Sequence, residues 1–159
     1  MMFFHIPLPE AYDPGDRSPN RDDEMYTDGI LDLGSQRDGS GAATTNSHLF
    51  SNGIQAALEV AADDADAAGL PRVPEVKVLS HGHCHNTDRC RRVSGVWMCF
   101  DGGSSFSGYG AADFDRRVRV YNVSQWGETI ASYKRLTSGD IIDRQVLVGE
   151  GAPAPFWAQ

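Results

Sequence analysis

Val76-Lys77-Val78-Leu79-Ser80-His81-Gly82-His83-Cys84-His85-Asn86-Thr87-Asp88-Arg89-Cys90 is the stretch from which the rest of the chain can be ordered. Val76 to Ser80 reads as a short strand, rich in β-branched and aliphatic side chains, that delivers a histidine cluster at its carboxyl end. Three of the chain's 5 histidines fall in that cluster. In an extended segment residues two apart point to one side, so His81, His83 and His85 would share a face. In a tight loop past the strand, His83 and His85 would instead straddle two neighbouring metals. Neutral imidazole suits zinc, iron and manganese, and a glycine before His83 lets the backbone turn closely. The plain alternative is a solvated polar loop.

Working outward, Val96-Trp97-Met98-Cys99-Phe100 predicts a second strand, followed by the turn-forming run Asp101-Gly102-Gly103-Ser104-Ser105. Three more strands are predicted over 117–123, 129–135 and 141–148. In the first of them Val118 and Val120 alternate with Arg119 and Tyr121, as in a half-buried strand. With Val96–Phe100 these make a predicted four-strand meander, with Gly127 and Gly139 in the turns. Upstream, residues 3 to 8 read as the end of a buried strand running into a loop, because Pro7 and Pro9 forbid regular structure beyond it. From about 13 to 45 the chain is rich in Asp, Gly, Ser, Arg and Asn and reads as a polar loop insertion. A helix is expected next. Asn46 or Ser47 caps it, Phe50, Ile54, Ala57, Leu58, Ala61, Ala65 and Ala68 recur at helical spacing, and Gly69 and Pro71 stop it. The expected class is α+β, mostly strands plus one main helix.

The 159 residues suit one domain. A formal charge of -8, from 14 basic and 22 acidic residues, excludes a general nucleic-acid surface, which needs a positive field to displace counterions. No apolar run of about 18 residues offers a membrane-spanning segment. Met1-Met2-Phe3-Phe4 is too short, and too soon followed by prolines, to read as a signal peptide. Three cysteines, Cys84, Cys90 and Cys99, are not a secreted disulfide framework. One bridge between Cys90 and Cys99 is compatible with the count, but buried free thiols are the expected outcome. The compartment stays open.

Gly82-His83-Cys84-His85 resembles the Gly-His-x-His signature that closes the metal site of calcineurin-like metallophosphoesterases. Further words resemble the purple-acid-phosphatase-related branch of that family. They are Phe4-His5-Ile6-Pro7-Leu8-Pro9-Glu10, Asn46-Ser47 with Phe50, Asn86 with Asp88 and Cys90, Gly102-Gly103, Gly108-Tyr109-Gly110, and Arg116-Arg117-Val118-Arg119-Val120. These words in one order, spanning residues 3 to about 136 outside the polar loop, are far more specific than a lone Gly-His-x-His.

The resemblance implies the carboxyl-terminal half of an αββα sandwich, so that residues 1–159 form a partial phosphoesterase domain. It implies that His5 and His83 bind one metal of a divalent or trivalent pair (Fe, Zn or Mn) and His85 the other. A hydroxide bridging the pair would attack the phosphorus of a phosphomonoester or phosphoprotein. His81, Asn86 and Asp88 are candidates to hold and orient the ligand imidazoles. The family's carboxylate words, Asp-x-His, Gly-Asp-x-x-Asp and Gly-Asn-His-Asp/Glu, are read as absent from this chain; the family carries them upstream of the equivalent of His5. The chain alone is therefore expected to be weak or inactive, and to self-associate through uncovered surface. The alternative from another class is a non-catalytic zinc-binding or interaction module that uses His81, His83, His85 and Cys90. The glycine-rich run 102–110 lacks the Gly-Lys-Ser of a P-loop and is expected to serve turns. Arg116 and Arg117 need no ligand duty there.

Overall fold

The computed structural model describes residues 1–12, 76–93 and 95–153. Its strands are β1 (Met2–Phe4), β2 (Val78–His81), β3 (Cys90–Val93), β4 (Val96–Phe100), β5 (Arg117–Ser124), β6 (Thr129–Leu136) and β7 (Ile141–Val148). They form two sheets. The first has the order β1-β2-β4-β3, and the second is β5-β6-β7. In the first, β1 and β4 both run parallel to β2, while β3 returns antiparallel to β4. The second is wholly antiparallel. This strand-rich architecture agrees with a partial α+β fold. The helix expected over 46–68 and the polar stretch at 13–45 lie outside the described residues.

Two expectations are corrected. The meander has three strands rather than four, because Val96–Phe100 leaves it to sit between β2 and β3 in the first sheet. Cys90-Arg91-Arg92-Val93, where no strand was expected and of which only Cys90 was read as the tail of the histidine cluster, is a strand with all four residues buried. Its hairpin to β4 turns at Gly95, whose φ of 80° is reached without strain by glycine alone.

Burial explains the order of the sheets. Every residue of β2, β3 and β4 is buried, as parallel-rich strands covered on both faces require. Leu79, Met98, Phe100, Val93 and Val96 cluster on one face with Leu8, Ala11 and Cys84. Val78, Trp97, Cys90 and Cys99 gather on the other with Ile130 and Leu147 of the second sheet. Each large apolar side chain so buried stabilises the fold by about 1.5–3 kcal/mol. Trp97 also donates its indole N–H to the Leu147 carbonyl at 2.8 Å, tying the two sheets together. Cys90 and Cys99 face each other across the ladder and are joined as a disulfide. The expectation of free thiols is therefore corrected for this pair, because the hairpin sets the two residues directly opposite each other. Cys84 lies outside the disulfide and is packed in the core.

A polar seam runs through the contact between the sheets. The buried Asp88 carboxylate takes Arg117 Nη1 at 2.9 Å and Lys134 Nζ at 3.1 Å. Lys134 also meets Asp143 at 2.6 Å. Arg119 donates to the Phe100 and Asp88 carbonyls and, at 2.9 Å, to Ser132 Oγ. Ser80 Oγ donates at 2.6 Å and Tyr121 OH at 3.0 Å to the two oxygens of Asp101. Burial raises the Asp101 carboxyl above its ordinary range, against the pull of these two hydrogen bonds and of Arg119.

Candidate metal centre

Because β1, β2 and β4 run parallel, their carboxyl ends open on one edge of the first sheet, the place where open α/β sheets gather ligands. β1 ends one residue before His5, β2 at His81, and β4 one residue before Asp101 and the glycine-rich run. The parallel register Phe4↔His81 then carries His5 and His83 out of the sheet side by side. His83 is held at φ 66°, inside a three-residue turn closed by the Cys84 N–H on the Gly82 carbonyl at 2.8 Å. Turns of this positive-φ kind are rare and strained, and strain of this sort concentrates at functional sites. Gly82 is needed for a different reason: a Cβ there would lie 3.2 Å from His5 Nδ1. With that side chain missing, the imidazoles of His5 and His83 meet edge to face, His5 Nε2 standing 3.1 Å from His83 Nδ1.

His85 is gripped by the loop after β4. Its ring stacks on Tyr109 at 4.2 Å with a 4° interplanar angle, and its Nδ1 lies 2.9 Å from the Tyr109 carbonyl. The Tyr109 hydroxyl accepts the His85 backbone N–H at 3.0 Å and donates to the His83 carbonyl at 2.9 Å. Arg116 donates to the carbonyls of Tyr109 and Gly108 at 2.7 and 2.8 Å. The glycines were expected to serve turns, yet within the run 102–110 only Gly102 has a positive φ. The others are cradles. A Cβ on Gly108 would sit 2.6 Å from the His85 ring, one on Gly103 2.9 Å from His85 Cβ, and one on Gly110 2.5 Å from the Arg116 guanidinium. Arg117 stacks on Phe114 at 3.7 Å, donates Nε to the Asp115 carbonyl at 2.7 Å and pairs with Asp88.

The structure brings His5 and His83 together and seats His85 beside them, but it sends the other cluster residues elsewhere. His81 is fully buried against Phe100, not at a polar rim. Burial pushes its pKa down to about 4, against a backbone hydrogen bond at Cys99, so the ring is neutral at pH 7. Asp88, anticipated beside a ligand imidazole, instead has its carboxylate between Arg117 and Lys134. The set His81, His83, His85 and Cys90 is not gathered, since His81 is in the core and the Cys90 sulfur is in the disulfide. Asn86 stays close to the site in sequence, and its buried Oδ1 has no hydrogen-bond partner among the described residues. His48 lies outside them. The sequence also spells one Gly-Asp-x-x-Asp after all, at Gly139-Asp140-Ile141-Ile142-Asp143. It spans the end of the β6–β7 turn and the start of β7, where Asp140 takes the Ser138 hydroxyl and Asp143 takes Lys134.

The pair suits a cation in its spacing. Two imidazole nitrogens, each about 2.0–2.1 Å from one ion, stand roughly 3 Å apart at octahedral to tetrahedral angles. In the chain as it stands the same spacing serves an N–H···N contact. Partial burial, with His5 and His85 as neighbours that would share its charge, holds the His83 pKa below the ordinary histidine value and favours the neutral, ligating form. Among the described residues no group of three His, Cys, Asp or Glu side chains is gathered to enclose an ion. The donors fit a metal as part of a ligand shell.

The chain's curated relatives are purple-acid-phosphatase-like proteins. The chain is related to the purple acid phosphatases. It is 31% identical to the probable inactive purple acid phosphatase 29 of Arabidopsis thaliana over 96% of this chain and 34% of that protein. It is 37% identical to the probable inactive purple acid phosphatase 14 of the same plant over 46% of this chain and 21% of that protein. With the phosphatase DCR2 of Saccharomyces cerevisiae it shares 28% identity over 96% of this chain and 24% of that protein. The chain thus spans about a third or less of each of these relatives. No family model matches the chain, and no solved structure matches it. Among the described residues no helix is long and apolar enough to cross a membrane.

Proposed function

We propose that this chain contributes the histidine side of a metal-dependent phosphoric-ester hydrolase centre, with His5 and His83 on one cation, His85 on a second, and a phosphomonoester as substrate. The observation that carries the proposal is the 3.1 Å approach of two imidazole nitrogens from segments 78 positions apart, at the spacing one ion needs. The relatives lend the reaction class, since the word phosphatase stands in their names. A cation pair held there supplies Lewis-acid activation of water and of a phosphoryl oxygen. The chain's own residues do the rest. Gly82 admits His5, the turn at His83 aims its ring toward His5, the Tyr109 loop holds His85, and the Asn86 oxygen is an acceptor left for a proton donor. Three neutral imidazoles do not offset the mutual repulsion of two cations, so the carboxylates that complete the centre are not supplied by the described residues. The chain by itself is expected to bind metal and to hydrolyse phosphomonoesters weakly or not at all.

Equilibrium dialysis against zinc or manganese, alongside an aryl phosphate assay, tests this. Cation uptake is expected to fall at least about tenfold in both His5→Ala and His83→Ala, in line with the loss of a ligand. Uptake that ignores both substitutions refutes the shared-ion assignment. Uptake that survives His5→Ala but vanishes in His81→Ala returns the case to a structural zinc module.

A further inference from the structure

We propose that Tyr109 is a positioning residue, which fixes His85 as the tautomer with hydrogen on Nδ1 and holds the backbone turn that presents His83. The inference rests on the metal reading only for its purpose; the geometry stands without it. A carbonyl oxygen can only accept, so the 2.9 Å contact between His85 Nδ1 and the Tyr109 carbonyl requires the hydrogen on Nδ1. A neutral imidazole has one such hydrogen, which leaves Nε2 bare and able to ligate. The coplanar stack at 4.2 Å fixes the ring plane as well.

The hydroxyl of the same residue does a second job. It accepts from His85 N and donates to His83 O, so one oxygen ties together the backbones of two predicted ligands. His83 needs such a tie, since its φ of 66° is a strained conformation that persists only where its surroundings enforce it. Arg116 completes the device. Its two hydrogen bonds to the carbonyls of Tyr109 and Gly108 clamp the segment that faces His85, and the bare Cα atoms of Gly108 and Gly110 leave the room the two side chains occupy. The ring, the carbonyl and the hydroxyl of one residue therefore each constrain the histidine turn.

The test uses the whole chain, free of metal, with labelled histidine nitrogens. Long-range proton–nitrogen correlation at pH 8, above the ordinary histidine range, reads the tautomer of His85 directly. Protonated Nδ1 and bare Nε2 are expected. In Arg116→Gln, which frees the Tyr109 carbonyl, the two tautomers should mix, and Arg116→Lys should restore part of the bias. Tyr109→Phe keeps the stack but removes the hydroxyl; it should shift the His83 and His85 backbone signals and weaken zinc binding by about tenfold. Phe106→Ala, an exposed substitution in the same loop, should change neither readout. An Nε2-protonated His85 in the unaltered chain overturns the proposal. So does a Tyr109→Phe chain with wild-type histidine signals and zinc affinity, or a Phe106→Ala chain that mixes the tautomers as strongly as Arg116→Gln. If the tautomer behaves as expected while no chain binds zinc, Tyr109 keeps its positioning role and the metal reading falls alone.

Discussion

Within the ten residues from His81 to Cys90 the inward and outward side chains have opposite fates. His81, Asp88 and Cys90 are buried, in the core, in the ion-paired seam and in the disulfide respectively. His83 and His85 emerge at the sheet edge, one against His5 and one against Tyr109. Residue type did not decide this, since histidine occurs in both groups. The backbone did. Were the segment extended, 81, 83 and 85 would share a face. The left-handed turn at His83 breaks that alternation and separates a buried histidine from two at the sheet edge.

The contrast can be broken most forcefully from the inside. Asp88→Ala leaves Arg117 and Lys134 buried without their shared carboxylate, which should cost about 3–5 kcal/mol in urea unfolding. A loss near zero would mean that the seam is not what holds the inner half. The next effect depends on pH. His81 has a folded pKa of about 4 against an ordinary 6.5, so the unfolded chain takes the proton first. Its contribution is complete above about pH 6.5, shrinks as pH falls toward 4, and amounts to about 3 kcal/mol in all. Comparing unfolding at pH 7 and pH 4 in the parent chain and in His81→Gln checks this, and equal slopes would contradict it. The smallest effect is the sharpest discriminator. His83→Ala, on the outer half, should change stability by no more than about 0.5 kcal/mol, because it removes a partly exposed ring with no core contacts. A large loss of stability there would make His83 a structural residue like its neighbour.

Much of the scaffold was legible. β2, β4 and the three strands of the meander announced themselves by β-branched, alternating sequence, and His5 with His83 by the words that contain them. β3 was not legible, because two adjacent arginines contradict the pattern of a buried strand. They are tolerated where partners reach them, as when Arg91 donates to the Ala11 carbonyl at 3.1 Å. Placing Val96–Phe100 in the meander failed because local sequence carries no record of the parallel pairing with a distant strand. At the site, Asp88 looked like a helper of histidine only until the cations of β5 and β6 were folded against it. The duty of Tyr109 was hidden for a related reason. Its resemblance word marked the position, but a carbonyl aimed at a ring nitrogen is a property of the folded loop.

The ladder between β1 and β2 spans only three residue pairs. It is nevertheless what brings together imidazoles 78 positions apart. Local hairpins such as β3–β4 and β5–β6–β7 close over short loops, whereas this contact must first meet the entropy of closing a long one, so the histidine pair is expected to assemble late and to fray early. A bound cation would then act as a clasp on the amino-terminal strand. At a hundredfold excess over its dissociation constant it would add about 2.7 kcal/mol to the folded state, most visibly as slower amide exchange in Met2–Phe4.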